Sequence, residues 1–349
     1  MDIEFHYYMT YLIAARAGFA PDEAAIIATA SQEVDDNHIA ILVSEGTPQA
    51  YVSAVSQTMN ILAPHQDLRI YPIFHFIPGV PDAPTARRKD GQTSAWMTTP
   101  NSPLAQAMLD TALTSGSLHR IGASSHAYAD TWAHQNFIGK DDPLNEMPHP
   151  ESLFAELKQK VLKIGHALAN HDPDIPDLIW TDARLSSPQI VNADRFMEAA
   201  RELYAKYCQV TKKPLTVADQ ESLVADLRAD IGPPSPASAP PASRIDRYKE
   251  RALAPAYGGQ LIPDYQPGAW ADAAFVEQRR NLGNEIDTWL ATHAGLASDT
   301  LTLHPMTYTW KDPDTCKTTD WFRFQEAVKA HLDECWALLH QHMPQASLA

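Results

Sequence analysis

The sequence is poor in cysteine, glycine and basic residues. Its three cysteines, Cys208, Cys316 and Cys335, lie far apart and form no Cys-x-x-Cys motif. Neither a disulfide framework nor a cysteine-based metal knuckle is therefore expected. Glycine occurs only 14 times in 349 residues. Runs of β-branched residues are also rare, which favours helices over strands.

Positive charge is scarce as well. The chain has 27 Lys and Arg against 43 Asp and Glu, which gives a net charge of -16. No basic stripe follows the chain, so stable binding to duplex nucleic acid or to an anionic membrane surface is not expected. A phosphate-containing substrate is still compatible with this charge, because bound metals can reverse the local sign inside a cleft.

Long apolar runs are absent, so the sequence predicts no transmembrane segment. Near the N-terminus, Asp2 and Glu4 stand where a signal peptide would carry basic residues. A cytoplasmic protein is expected. Hydrophobic residues make up 44% of the chain, enough for a sizeable core in one large domain or two ordinary ones.

The spacing of hydrophobic residues predicts an all-α fold, a multi-helix bundle. A metal site is expected between its helices. Residues 1–231 are expected to form a metal-binding helical domain, followed by a Pro/Ala/Ser-rich loop or linker at 232–243 that is extended and mobile. Residues 244–349 are expected to supply accessory helices that pack on the same domain. The segment 71–79 is predicted to be extended or a loop. The predicted helices cover 2–17, 21–36, 103–114, 118–137, 151–170, 193–210, 216–230, 270–293 and 320–342.

The stretch 118–137 carries the strongest functional signal. As a helix, it places His126, Asp130 and His134 at i, i+4 and i+8 on one face, with His119 two turns earlier. Small residues between them let other helices approach closely. A single His-x-x-x-Asp pair usually makes a surface hydrogen bond, but burying three such groups without a metal would cost several kcal/mol. Imidazole and carboxylate are ligands for zinc and similar divalent ions.

Further metal donors are expected on other elements. Asp35 continues the apolar face of its helix and is a better inward carboxylate than Asp36, although Asp36 stays open. His75 alone is more often a satisfied core histidine than a ligand, and Asp2 lies one turn before His6. The set is too large for one four-coordinate zinc and suits two or three ions that share an aspartate bridge. The candidate ligands are His6, Asp35, His75, His126, Asp130, His134 and His166.

In order and spacing, these residues resemble the zinc-dependent phospholipase C and single-strand-specific nuclease superfamily, whose members are largely helical and bind three zinc ions. Over roughly residues 1–175, the resemblance implies that His6, Asp35 and His75 are the early ligands. It also implies that Asp130 bridges metals between His126 and His134, and that His166 is the late ligand. The runs 1–38 and 125–139 also resemble an uncharacterised bacterial group thought to be distantly related to that superfamily.

Three departures from the superfamily pattern concern the metal count. Its members ligate zinc with the free amine of an N-terminal tryptophan, whereas here Asp2 or the Met1 amine would have to substitute. The step from Asp130 to His134 is shorter than in the enzymes. Asn170 stands four residues after His166 in place of an acid, and three nearby residues could compensate: His171, Asp172 and Asp174. One to three zinc ions are therefore expected.

The expected function is metal-dependent hydrolysis of a small phosphoester or lipid-like substrate by activated water. Asp35 would be a metal ligand or the general base. Nearby aromatic residues, Phe74, Phe76, Tyr128 and Trp132, are expected in the core rather than at a substrate. Two alternatives stay open. One is a non-catalytic, metal-stabilised scaffold. The other is a His-Asp-type phosphohydrolase built on the doublet His171-Asp172.

Overall fold

The computed structural model describes residues 1–57, 64–84, 87–147, 165–166, 169, 171–279 and 306–343. A π-helix, Glu4–Met9, leads directly into the first α-helix. The α-helices are α1 (Thr10–Ala17), α2 (Pro21–Asp36), α3 (Pro64–Phe74), α4 (Pro103–Thr114), α5 (Leu118–Ala133), α6 (Asn192–Thr211), α7 (Val217–Ile231), α8 (Ala242–Ala252), α9 (Ala269–Ala274) and α10 (Asp320–His342). The strands are β1 (Leu42–Val43), β2 (Tyr51–Val52), β3 (Ile179–Thr181), β4 (Gln189–Val191), β5 (Phe275–Arg279) and β6 (Met306–Trp310).

The fold is mostly helical, as predicted, but it is not purely all-α, because it also contains a small sheet. A four-stranded sheet has the order β2-β1-β6-β5, and β3 and β4 form a separate antiparallel pair. Strand β6 lies parallel to β1, with Val43 opposite Tyr308, and antiparallel to β5, with Phe275 opposite Trp310. These strands are two to five residues long. Such short strands depend on distant partners more than on a local pattern.

Helix α5 lies at the centre of the bundle and packs against α2, α4, α6 and α10. It begins where the Ser117 hydroxyl accepts the Arg120 N–H at 3.3 Å. A Cβ at Gly122 would lie 2.3 Å from the Ile27 carbonyl oxygen and 2.7 Å from the Ala30 Cβ. The absence of a side chain at Gly122 is therefore what allows α2 to approach α5 closely.

The C-terminal segment packs on the same bundle. Helix α10 contacts α3, α4 and α5, and β6 joins β1 from the N-terminal part. The Pro/Ala/Ser loop is anchored at Asp177, whose backbone carbonyl accepts the Ser235 N–H at 2.8 Å and whose carboxylate accepts the Ser238 hydroxyl at 2.5 Å. This loop ends one residue early, since α8 begins at Ala242. The domain boundary at 231 stays a prediction.

Two predicted elements need correction. Residues 71–74 belong to α3, and Pro72 lies inside that helix instead of breaking it. The helix predicted over 270–293 ends at Ala274, because the chain then enters β5 and pairs with β6; residues 280–293 lie outside the described part. By contrast, the predicted helices at 21–36, 103–114 and 320–342 are confirmed.

Two further sequence predictions concern the cysteines and the possibility of a membrane-spanning helix. The three cysteines are free and buried, as expected for structural thiols. Among the helices that the structure describes, none combines the length and the apolar character needed to cross a membrane.

Candidate metal centre

Asp130 lies at the centre of the candidate site, 1% exposed, one turn before the end of α5. Its Oδ1 atom is 3.2 Å from His6 Nε2 and 2.5 Å from the Met1 amine. Its Oδ2 atom faces three imidazoles, with 3.5 Å to His75 Nδ1, 3.3 Å to His126 Nε2 and 3.4 Å to His134 Nδ1. The two oxygens of one carboxylate therefore face two different groups of donors.

His75 and His126 direct nitrogen lone pairs into this cluster. His75 donates its Nε2–H to the Ser56 carbonyl at 2.9 Å, and His126 donates its Nδ1–H to the Ser31 carbonyl at 2.9 Å. Because a carbonyl oxygen only accepts, each neutral ring is left with a lone pair on its other nitrogen. Those two nitrogens, His75 Nδ1 and His126 Nε2, are 3.2 Å apart. Metal-binding histidines commonly donate their second N–H to a carbonyl in this way.

His134, at the end of α5, also donates one ring N–H to a backbone carbonyl. The helix ends at Ala133, one residue before His134, so the prediction that α5 extends to residue 137 is wrong. The His134 Nδ1–H donates to the His75 carbonyl at 2.7 Å, which leaves Nε2 facing Asp174 Oδ1 at 3.1 Å. The ring of Phe76 stacks on His134 at 4.6 Å and holds it in this orientation.

Both ring nitrogens of His6 are buried, and neither makes a hydrogen bond within the described residues, although Nε2 lies 3.2 Å from Asp130 Oδ1. It comes from the π-helix and stacks on His126 with 3.7 Å between ring centroids. An unpartnered buried polar group costs about 1–3 kcal/mol. A cation between His6, His126 and Asp130 would remove that cost for at least one nitrogen.

Asp174 closes the site from a 3-10 helix at Asp172–Asp174. Its Oδ1 lies 3.1 Å from the Met1 amine, and its Oδ2 lies 3.5 Å from His166 Nε2. Of the three residues that could stand in for an acid after His166, Asp174 is the one in the cluster. His171 is exposed, and Asn170 lies outside the described residues.

Asp35 and Asp36, adjacent at the end of α2, have different surroundings. Asp35 Oδ1 is 3.6 Å from His126 Nε2 and 3.8 Å from His75 Nδ1. Asp36 instead accepts the Tyr265 hydroxyl at 2.6 Å. The Asp35 side chain is 30% exposed, so the cluster meets solvent at this corner.

Burial and neighbouring charges shift the pKa values of these groups. Burial lowers the pKa of His6 well below its usual range, and it lowers the pKa of His134 to about 4. Burial alone would raise the pKa values of Asp130 and Asp174, but the surrounding imidazoles and the Met1 amine outweigh it and hold both well below the usual range. At neutral pH, both carboxylates are therefore anionic, and His6 and His134 are neutral.

Three groups of donors in the described residues have the spacing needed to hold a metal ion, since their ligand atoms lie within 4.8 Å of one another. They are His6 with His126 and Asp130, Asp35 with His75 and His126, and His134 with His166 and Asp174. The donor set of imidazole and carboxylate fits zinc. His126 belongs to two groups but offers one free nitrogen, so the groups overlap.

All seven sequence-predicted ligands lie in these groups. Sequence reasoning placed Asp174 only among three possible substitutes, and it could not see the carbonyls of Ser31 and Ser56, which carry no side-chain signal. Asp2 does not join the cluster through an observed contact: its carboxylate accepts the Glu4 N–H at 3.0 Å. His119 lies elsewhere, 3.0 Å from Asp320 of α10.

Comparison with known proteins adds a family but no activity. Residues 1–339 match the model of a family of unknown function, DUF6765. The chain belongs to the DUF6765 family. No curated protein and no solved structure matches it significantly. The match of this DUF6765 chain spans the candidate metal centre, the four-stranded sheet and most of α10.

Proposed function

We propose that this protein is a zinc-dependent hydrolase of a small phosphoester. The observation that carries the proposal is the close approach of two ring nitrogens, His75 Nδ1 and His126 Nε2, which lie 3.2 Å apart beside Asp130. Two acceptor nitrogens at this separation repel each other unless a proton or a cation lies nearby. With carboxylates on either side, a divalent cation satisfies all of these atoms together.

Asp130 is proposed as a bridging ligand. Its Oδ1 faces His6, and its Oδ2 faces His75, His126 and His134. Asp174 would complete a second position with His134 and His166. Because one imidazole nitrogen serves one ion, the overlapping groups support two ions more readily than three.

Asp35 is proposed as the general base. Its side chain is 30% exposed, the most of the carboxylates in the cluster, so solvent reaches it. Burial raises the pKa of Asp35, although His126 and His75 oppose that shift. A carboxylate with a raised pKa accepts a proton from water more readily near neutral pH. Bound zinc supplies a water of lowered pKa and neutralises the negative charge of a phosphoryl group.

The exposure of Asp35 also distinguishes hydrolysis from the scaffold alternative. A purely structural metal site is closed, whereas a catalytic site keeps a position that solvent can reach. The exposure of Asp35 therefore favours hydrolysis over a scaffold. The His-Asp alternative has less support, because His171 is exposed and the doublet belongs to none of the three donor groups found among the described residues.

The test is a panel of phosphodiester and phosphomonoester chromogens, phosphatidylcholine and single-stranded nucleic acid, each with and without chelator. We expect turnover on at least one small phosphoester, its loss with chelator and its return with zinc. Zinc binding without turnover on any substrate would favour the scaffold. Turnover that chelator leaves unchanged would refute the metal mechanism.

A further inference from the structure

A cavity lies beyond the end of α5. It is next to the candidate metal centre but is lined by different residues. Its volume is about 530 Å³, within the range of small-molecule sites. None of the residues that line it belongs to the three donor groups. Its lining includes Arg87, Gln135, Asn136, Ser186, Arg195 and Glu198.

Arg195 is a cation in this cavity and has no ion-pair partner among the residues that the structure describes. It projects from α6, donates an Nη1–H to the Ala133 carbonyl at 3.3 Å, and lies 6.0 Å from the centroid of the Trp180 ring. Asp182 and Glu198 act on Arg195 only as neighbouring charges, and burial outweighs them to lower the pKa of the guanidinium. The other acid in the lining, Asp194, is paired with Arg228 at 2.8 Å. A guanidinium with unused donors is suited to a planar oxyanion.

Asn136 forms a buried part of the cavity wall. The residue is 1% exposed, and within the part of the chain that the structure describes its amide nitrogen and amide oxygen have no hydrogen-bond partner. Its backbone is held in the left-handed region at φ 72°, with its N–H donated to the Thr98 carbonyl at 3.0 Å. Backbone strain of this kind concentrates at ligand sites.

We propose that this cavity binds a small organic anion through a phosphate or carboxylate group, with Arg195 neutralising the charge. The exposed Arg87 adds positive charge to the cavity, and Ser186 and Ser187 add hydroxyl groups. The volume exceeds that of one phosphate ion, so the anionic group is expected to belong to a larger molecule. The inference concerns binding and does not depend on hydrolysis at the metal centre.

The experiment is calorimetric titration of the full chain with orthophosphate, glycerol 3-phosphate and succinate. These probes distinguish a phosphate from a carboxylate ligand. We expect saturable binding of at least one organic anion, weakened about tenfold or more by Arg195→Gln because a charge-assisted contact is lost. Arg201→Gln removes an arginine from the same helix, where it pairs with Glu221, and should leave the affinity unchanged.

Asn136→Gly tests the same cavity without touching α6, since glycine adopts a positive φ without strain. It should also weaken binding, and circular dichroism will report whether each variant is folded. Asp130→Asn checks for anions that bind at the metal centre. Binding abolished by Asp130→Asn but insensitive to Arg195→Gln and Asn136→Gly would overturn the proposal, as would the absence of saturable binding with all three probes.

Discussion

His75 Nδ1 and His126 Nε2 face each other at 3.2 Å, and each ring donates its other N–H to a backbone carbonyl. If a cation joins them, replacing either ring by alanine removes a ligand. Zinc added to chelated wild-type protein should stabilise the fold by about 2.7 kcal/mol when zinc is at about 100 times its dissociation constant. Thermal unfolding of His126→Ala and His75→Ala should show most of this increase lost.

His340→Ala is the control for that series, because His340 is an exposed histidine of α10. It should respond to zinc like the wild type. Equal zinc responses in all three variants would contradict the assignment of His75 and His126 as ligands.

Asp35 and Asp36 offer a matched pair of substitutions at adjacent positions. Asp35 faces the two imidazoles, whereas Asp36 accepts the Tyr265 hydroxyl. With a phosphoester that the protein hydrolyses, Asp35→Asn should lower kcat by about 10²–10⁴-fold, because a general base is lost. Asp36→Asn should change kcat only slightly. Comparable losses in both variants would remove the basis for the catalytic role of Asp35.

Gly122 sets the distance between α2 and α5, and α2 carries Asp35. In Gly122→Ala, the new Cβ would meet the Ile27 carbonyl oxygen at 2.3 Å. We expect a loss of about 1–3 kcal/mol in the free energy of unfolding, measured in urea, since overpacking forces the backbone to shift. Zinc affinity should fall together with stability. Unchanged stability would mean that the two helices tolerate a wider spacing.

His331 makes stability depend on pH at a point away from the metal cluster. It is fully buried against Phe74. Burial and the nearby Arg120 lower the pKa of His331 to about 3, from an ordinary value of 6.5. Below about pH 6.5, the unfolded chain therefore binds a proton at the His331 imidazole, whereas the folded chain does not. The burial of His331 therefore leaves the free energy of unfolding unchanged above about pH 6.5 and lowers it as the pH falls toward about 3.

His331→Leu should accordingly weaken the pH dependence of the melting temperature between pH 7 and pH 5. The exposed His340→Leu should leave that dependence as in the wild type. The charged groups around His331 are Arg120 and Glu334, and the Cys335 thiol is in contact with it, so all variants keep these residues. Parallel curves for the His331→Leu variant and the wild type would refute this account.

Helical spacing alone was enough to predict where the candidate ligands on α2 and α5 lie. It placed His126 and Asp130 on one face, and it favoured Asp35 over Asp36, because these relationships are local to one helix. His134 was predicted on the same helix, but it lies beyond the last turn, where its ring is oriented by the His75 carbonyl. Helix ends depend on such contacts and are poorly fixed by periodicity.

Long-range contacts explain what sequence reasoning missed. Strand β6 is rich in aromatic and β-branched residues, yet its pairing with β1 joins positions more than 260 residues apart. The burial of His331 follows from the packing of α10 on α3, which no local pattern reveals. The cavity at Arg195 is likewise assembled from several separate segments.

The central claim is that the cluster around Asp130 holds metal. Elemental analysis of the purified full chain, expressed with adequate zinc and freed of loosely bound ions, tests it most directly. We predict at least one tightly bound zinc or similar ion per chain, and its loss in Asp130→Asn. Less than one metal ion per chain in the wild type, under conditions where the protein is folded, would contradict the account.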